Sequence, residues 1–244
     1  MNIAGSGVIP AGDFDEKISV SGSARFTGNL RCPALLVAGA ASGTGNVECT
    51  GEVRASGSMR LNGSLSAQAL HVSGAFRLEG GCRVETMKLA GAAHFGKLLK
   101  AVNIRADGRI HAEEGIEAET LTLRNGVLLC SGLLNAETAE LGLAGGVSKV
   151  DSIGGTTICV KNAGGCGADT LWRRLCNWIS GHGAGRLEVA EAIEGETVTL
   201  EATCAPVVVG RDVTVGKDCE IGLIQYSGEL HMDPAARVER TEKL

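Results

Sequence analysis

Glycine recurs at Gly22, Gly39, Gly57, Gly74, Gly91, Gly108 and Gly126, always 17 or 18 residues after the last. A fixed period constrains the fold more than any local propensity, because each repeat must be one structural unit that stacks on the next. Laid beneath one another, the segments align in columns. Two places after the glycine stand Ala24, Ala41, Met59, Phe76, Ala93, Ile110 and Leu128, and four places after it Phe26, Gly43, Leu61, Leu78, Phe95, Ala112 and Cys130. Eight places on come Leu30, Val47, Leu65, Cys82, Leu99, Ile116 and Leu134, then Cys32, Cys49, Ala67, Val84, Ala101, Ala118 and Ala136. A third apolar pair follows: Leu35 with Val37, Val53 with Ala55, Leu70 with Val72, Met87 with Leu89, Ile104 with Ala106, and Leu121 with Leu123.

Each repeat therefore holds three short stretches of period two. Alternation of that kind puts one set of side chains on a common face of a strand. Three strands separated by turns make a triangular coil with its apolar set inside, and stacked coils are hydrogen-bonded at a spacing of ~4.8 Å. The intervening column (Arg31, Glu48, Ser66, Arg83, Lys100, Glu117 and Asn135) is an outward ladder, polar throughout. No 3.6-residue pattern fits these columns. The expected fold is all-β: a parallel β-helix, or solenoid, of triangular coils about 17 residues long.

Composition agrees. Hydrophobic residues make up 44% of the 244, but aromatic residues only 3%, so the interior is narrow and filled by small side chains. The 36 glycines then mark many tight turns. A net charge of −5 and a pI near 5.6 argue against nucleic acid as a partner. No apolar run is long enough for a membrane span, and Met1 to Gly12 lacks the pattern of a signal peptide. Nine cysteines without a CxxC pair suggest reduced thiols and a cytoplasmic protein.

Past Gly126 the rhythm loosens, with Val150, Ile153, Ile158 and Val160 suggesting another winding. A glycine-rich break follows, in which Leu171, Leu175, Trp178 and Ile179 fall on one face of a helix. This short inserted amphipathic helix would pack on the solenoid, dock a partner, or touch a membrane surface through Trp172, Arg173, Arg174 and Trp178. Strands resume at Leu187, with a hexad rhythm over Val207, Val209, Gly210, Val213, Val215, Gly216, Cys219, Ile221 and Gly222. The expected divisions are an N-terminal segment (1–17), a main stack (18–162), the insert (163–186), C-terminal coils (187–238) and a charged tail (239–244) that frays.

No catalytic site, cofactor site or metal site is assigned. His94 and His111 occupy one column of consecutive coils and form the most metal-like pair, but that column (Arg25, Ser42, Arg60, Arg77, His94, His111, Leu129) reads as a solvated ladder lacking a third ligand. Cys32, Cys49, Cys82 and Cys130 fall in inward columns and read as small core residues, leaving Cys166 and Cys176 as exposed thiols. The glycines of Gly183 to Glu188 match no phosphate loop. The hexads also suit a left-handed β-helix enzyme, such as an acyltransferase or a γ-type carbonic anhydrase. A monomeric adaptor is a third reading.

The stretch from Leu35 to Gly74, together with Gly210 to Pro234, resembles the bactofilins, polymer-forming bacterial cytoskeletal proteins. The resemblance implies a right-handed β-helix that assembles end to end without nucleotide. It also implies a scaffold for envelope, cell-shape or motility proteins, in the cytoplasm or at the inner face of the membrane, with at most weak membrane-surface contact. A physical argument points the same way: the end coils of a solenoid expose unpaired backbone and an open apolar cross-section. Ile18 and Val20 at one end, with Leu230, Met232 and Val238 at the other, are the expected association residues.

Overall fold

The computed structural model describes residues 1–162 and 185–244, and among them every regular element is a strand. The protein is an all-β parallel solenoid, divided into two units, Met1–Ala118 and Glu119–Leu244.

In the first unit, β1 (Asn2–Ile3), β2 (Ser6–Ile9) and β3 (Gly12–Asp13) lie on β4 (Ile18–Val20), β5 (Ser23–Phe26) and β6 (Leu30–Cys32). These carry β7 (Leu35–Val37), β8 (Ala40–Gly43) and β9 (Val47–Cys49) in turn. Above them are β10 (Glu52–Ala55), β11 (Ser58–Leu61) and β12 (Leu65–Val72). The stack ends with β13 (Ala75–Leu78), β14 (Cys82–Leu89), β15 (Ala92–Phe95) and β16 (Leu99–Ala112). All of these pairs are parallel, and like column positions face each other, as in Met59↔Phe76 and Cys82↔Leu99.

Side-chain size is matched through the interior. Phe26, Leu61 and Phe95 are at most 1% exposed, while Gly43 sits where a Cβ would strike both Phe26 and Leu61. Phe76 and Phe95 pack with ring centroids 5.8 Å apart. Burial of each such side chain contributes roughly 1.5–3 kcal/mol. The recurrent glycine has a steric cause. A Cβ at Gly39 would come within 3.0 Å of the Gly22 carbonyl oxygen, and the same holds for Gly57 on Gly39, Gly74 on Gly57 and Gly91 on Gly74. Adjacent coils touch backbone to backbone at this corner. At the next corner, Asn29 and Asn46 accept from the backbone N–H groups of Asn46 and Ser64, each at 2.9 Å.

The N-terminal seventeen residues are not a separate segment, because they carry the same apolar alternation at Ile3, Gly7 and Ile9 and pair as β1–β3. Ile18 and Val20 therefore lie one coil inside the stack, 0% and 1% exposed, with Ile3 opposite Val20.

The second unit comprises β17 (Ile116–Leu143, from Glu119 onward), β18 (Val147–Asn162), β19 (Arg186–Leu200), β20 (Thr203–Val215), β21 (Glu220–Tyr226), β22 (Leu230–Met232) and β23 (Arg237–Lys243). Strands β17 to β20 are long and pass through corners without a break, while β22 has only three residues. Register shifts interrupt the pairing between Cys130 and Leu133, Val150 and Ser152, and Glu188 and Ala192, and such bulges bend a strand and re-aim its side chains. Just past one such shift, Val208 is 0% exposed, whereas Val207 and Val209 of the hexad rhythm are half-buried. Ser148 and Thr203 are fully buried and satisfied, Ser148 Oγ accepting from Leu128 N–H at 3.0 Å and Thr203 Oγ1 donating to Glu201 O at 2.9 Å.

The charged tail is likewise ordered into β23. Ile221 faces Val238 and Tyr226 faces Lys243, and Leu244 N–H donates to Tyr226 O at 2.8 Å. Its charges point outward, so the strand can pair without burying them. The expected insert at 163–186 lies outside the described residues except for Gly185 and Arg186, and with it the amphipathic helix.

Candidate functional site

Two features stand out: the sheet edges of the terminal coils and a polar cluster on the flank of the first unit. Among the described residues, β1, β2 and β3 pair only with β4, β5 and β6. Ile9 is 0% exposed although it belongs to the first coil, and the Ile3 side chain lies 3.2 Å from where a Gly7 Cβ would be. Phe14 is half-buried, its N–H donating to Arg31 O at 2.8 Å. That edge is thus partly covered by its own side chains, with Val8 exposed outside it.

Among the described residues, the C-terminal edge is more open. Val213, Val215 and Ile221 are at most 2% exposed, but their partners in the last coil are not: Leu230 and Val238 are half-buried and Met232 is 51% exposed. β22 pairs only with β20, and β23 only with β21, among the described residues. Of the expected association residues, the structure places Leu230, Met232 and Val238 on a coil whose outer edge has no partner among the described residues, and Ile18 and Val20 inside the stack. Trp172, Arg173, Arg174 and Trp178, like Cys166 and Cys176, lie outside the described residues.

The flank cluster rests on the strict register of β15 over β16, which sets His94 opposite His111. Their Nδ1 atoms are 3.1 Å apart and the rings meet edge to face, centroids 4.7 Å apart. Glu113, just past the end of β16, brings Oε1 to 3.3 Å from His94 Nε2. That nitrogen is buried and has no well-directed hydrogen bond. One ligand-type atom from each of the three residues lies within 4.8 Å of the others. Arg77 stands opposite His94 on β13 and is held by Glu79 at 2.6 Å, with Arg60 3.5 Å from the same carboxylate. Burial, the Arg77 guanidinium and His111 together hold the His94 imidazole below its ordinary pKa, against an opposing pull from Glu113 and Glu79. A neutral imidazole is the metal-binding form.

The cysteines offer less. Burial pushes the Cys82 and Cys130 thiols up to about 12. Cys32 and Cys49 touch in the core, Sγ to Sγ 3.3 Å, and the Cys49 thiol is pushed up by that hydrogen bond and by burial. The Cys49, Cys82 and Cys130 thiols therefore stay protonated and are poor nucleophiles, whereas the hydrogen bond with Cys49 pulls the buried Cys32 thiol down. A groove of about 360 Å³ runs over Leu65 and Cys82 between Glu48, Arg83 and Lys100, along the outward ladder. Arg31 and Glu48 form a pair on this ladder at 2.6 Å, and Lys100 pairs with Glu117.

The described strands define a parallel β-solenoid. The chain is similar to two Bacillus subtilis (strain 168) proteins, both named as uncharacterized. It is 39% identical to YhbF over 113 residues, which cover 46% of this chain and 42% of that protein. It is 36% identical to YhbE over 117 residues, 47% of this chain and 44% of that protein. The chain thus spans less than half the length of these curated relatives. No family model matches it, and no solved structure matches it either. No described helix is long and apolar enough to cross a membrane.

Proposed function

We propose that this protein is a non-enzymatic, self-assembling scaffold of the bactofilin type, polymerising end to end without nucleotide. In this reading the solenoid winds right-handed in coils of about seventeen residues and works in the cytoplasm, organising envelope, cell-shape or motility proteins. The observation that carries the proposal is the last coil. Buried columns at Val213 and Val215 continue into Leu230 and an exposed Met232, on strands whose outer edge has no partner among the described residues. A parallel edge with an apolar interior column is a template for another strand of the same kind. Coil-to-coil pairing would continue across subunits, the β1–β3 edge of one copy meeting the β22–β23 edge of the next. Spontaneous assembly needs no energy source because the contacts are those that already hold each coil to its neighbour.

Sedimentation of purified, untagged protein without nucleotide or metal tests the reading. The expected result is a pelletable fraction that rises with concentration and returns to the supernatant in Met232→Lys. A concentration-independent monomer, or a discrete trimer of the kind expected for a left-handed β-helix transferase, would overturn it.

A further inference from the structure

We propose that His94, His111 and Glu113 form a binding site for a divalent first-row transition metal, with Zn²⁺ as the reference ion, that clips two consecutive coils together. The three residues come from different places in the repeat: His94 from β15, His111 from β16, and Glu113 from the turn that follows. Strict stacking brings them into one cluster. His94 lies between the other two, with Nδ1 3.1 Å from His111 Nδ1 and Nε2 3.3 Å from Glu113 Oε1. Two nitrogens bound to one tetrahedral ion at ~2.0–2.1 Å stand about 3.3 Å apart, so each of the two contacts is by itself at ligand spacing, and one donor atom from each residue lies within 4.8 Å of the others. A turn of the His94 ring selects the nitrogen that joins His111 and Glu113 on the ion.

Three further observations favour a metal over a plain polar ladder. The His94 Nε2 atom is buried without a directed hydrogen bond, an unfavourable state that ligation would relieve. Two imidazoles and one carboxylate form a donor set suited to Zn²⁺ and its neighbours, with water completing four-coordination. The adjacent guanidiniums do not leave the site strongly cationic, because Arg77 and Arg60 both face Glu79 and Glu113 adds a second carboxylate. The His94 side chain is 18% exposed and that of Glu113 50%, so the cluster is walled on one side and reachable from solvent.

The test is Zn²⁺ binding to the untagged full chain under reducing conditions, measured by competition with a chromophoric chelator. Co²⁺ substitution read in the visible range accompanies it. The expected result is one equivalent bound, weakened at least tenfold in His94→Ala and in His111→Ala, and less so in Glu113→Gln. The Co²⁺ spectrum should be tetrahedral and free of a thiolate charge-transfer band, and Zn²⁺ should raise the melting temperature of the wild type but not of His111→Ala. Glu113 is exposed, so Glu113→Gln keeps the test valid should a histidine variant fold poorly. His231→Ala, which alters a histidine in the other unit, should bind normally. Binding that survives His111→Ala and Glu113→Gln, a thiolate signature, or no binding at all would overturn the proposal.

Discussion

The two units solve one packing problem differently. In Met1–Ala118 the same column positions recur coil after coil, glycine over glycine and apolar over apolar, and most strands are short, although β16 runs on through the Gly108 corner. In Glu119–Leu244 the strands run through their corners, and three register shifts adjust the pairing. The first arrangement demands a particular residue at each corner because backbones touch there. The second spreads its pairing over bulges, yet a Cβ at Gly155 would still come 2.0 Å from the Ala136 carbonyl oxygen, so close backbone approach is confined there to single positions rather than repeated down a column. Regularity thus trades sequence freedom for stacking, and stacking places like upon like: Arg77 over Arg60, His111 over His94.

The largest expected effect follows from that contrast. Gly57→Ala places a Cβ against the Gly39 carbonyl oxygen and should destabilise the first unit by about 3 kcal/mol. Gly154→Ala in the second unit meets nothing nearer than 3.7 Å and should change stability by less than about 0.5 kcal/mol. Urea unfolding of both variants measures the difference, and equal losses would mean the two units are built alike. The next test addresses the bulged register. Val208→Ala should lose about 2 kcal/mol through the methyl groups and cavity, and Val209→Ala less than about 1 kcal/mol. The reverse order would restore the simple hexad.

A smaller effect concerns pH, in metal-free protein. Because the folded His94 pKa is lowered, the unfolded chain binds more protons as the pH falls through its ordinary value of about 6.5. The contribution of neutral His94 is therefore fully present above that value and is lost below it, until the folded site also titrates. Thermal melts from pH 8 to pH 5 should show this loss in the wild type and a shallower one in His94→Asn. Smallest of all should be the ladder pair. Arg31→Ala removes an exposed contact to Glu48 and should alter unfolding by under about 1 kcal/mol.

Much of the first unit was legible because a steric rule repeats: Met59, Leu61 and Leu65 are buried as their spacing predicts, although Ala101 and Ala118 of one expected inward column are only half-buried. Even so, Ile18 and Val20 were expected at an end, since the alternation of Ile3, Gly7 and Ile9 begins before the first corner glycine and is easily read as a segment outside the stack. The second unit was less legible. A bulge changes which face a residue takes without changing composition, so Val208 could not be told from Val207 and Val209 by period alone. The tail looked too charged to pair, yet backbone pairing asks nothing of side chains that point outward. Glu113 was missed for a third reason: it sits two residues past His111 and beside His94 only across a coil boundary. A diagonal search of the aligned repeats, rather than a column search, is the signal that could have found it.

Negative-stain electron microscopy of the untagged wild-type chain beside Met232→Lys, with no nucleotide present, tests the central claim most directly. Filaments or sheets are expected for the wild type, and short or discrete particles for the variant at the same concentration. Discrete wild-type particles, or filaments that Met232→Lys leaves unchanged, would contradict assembly through the uncovered last coil.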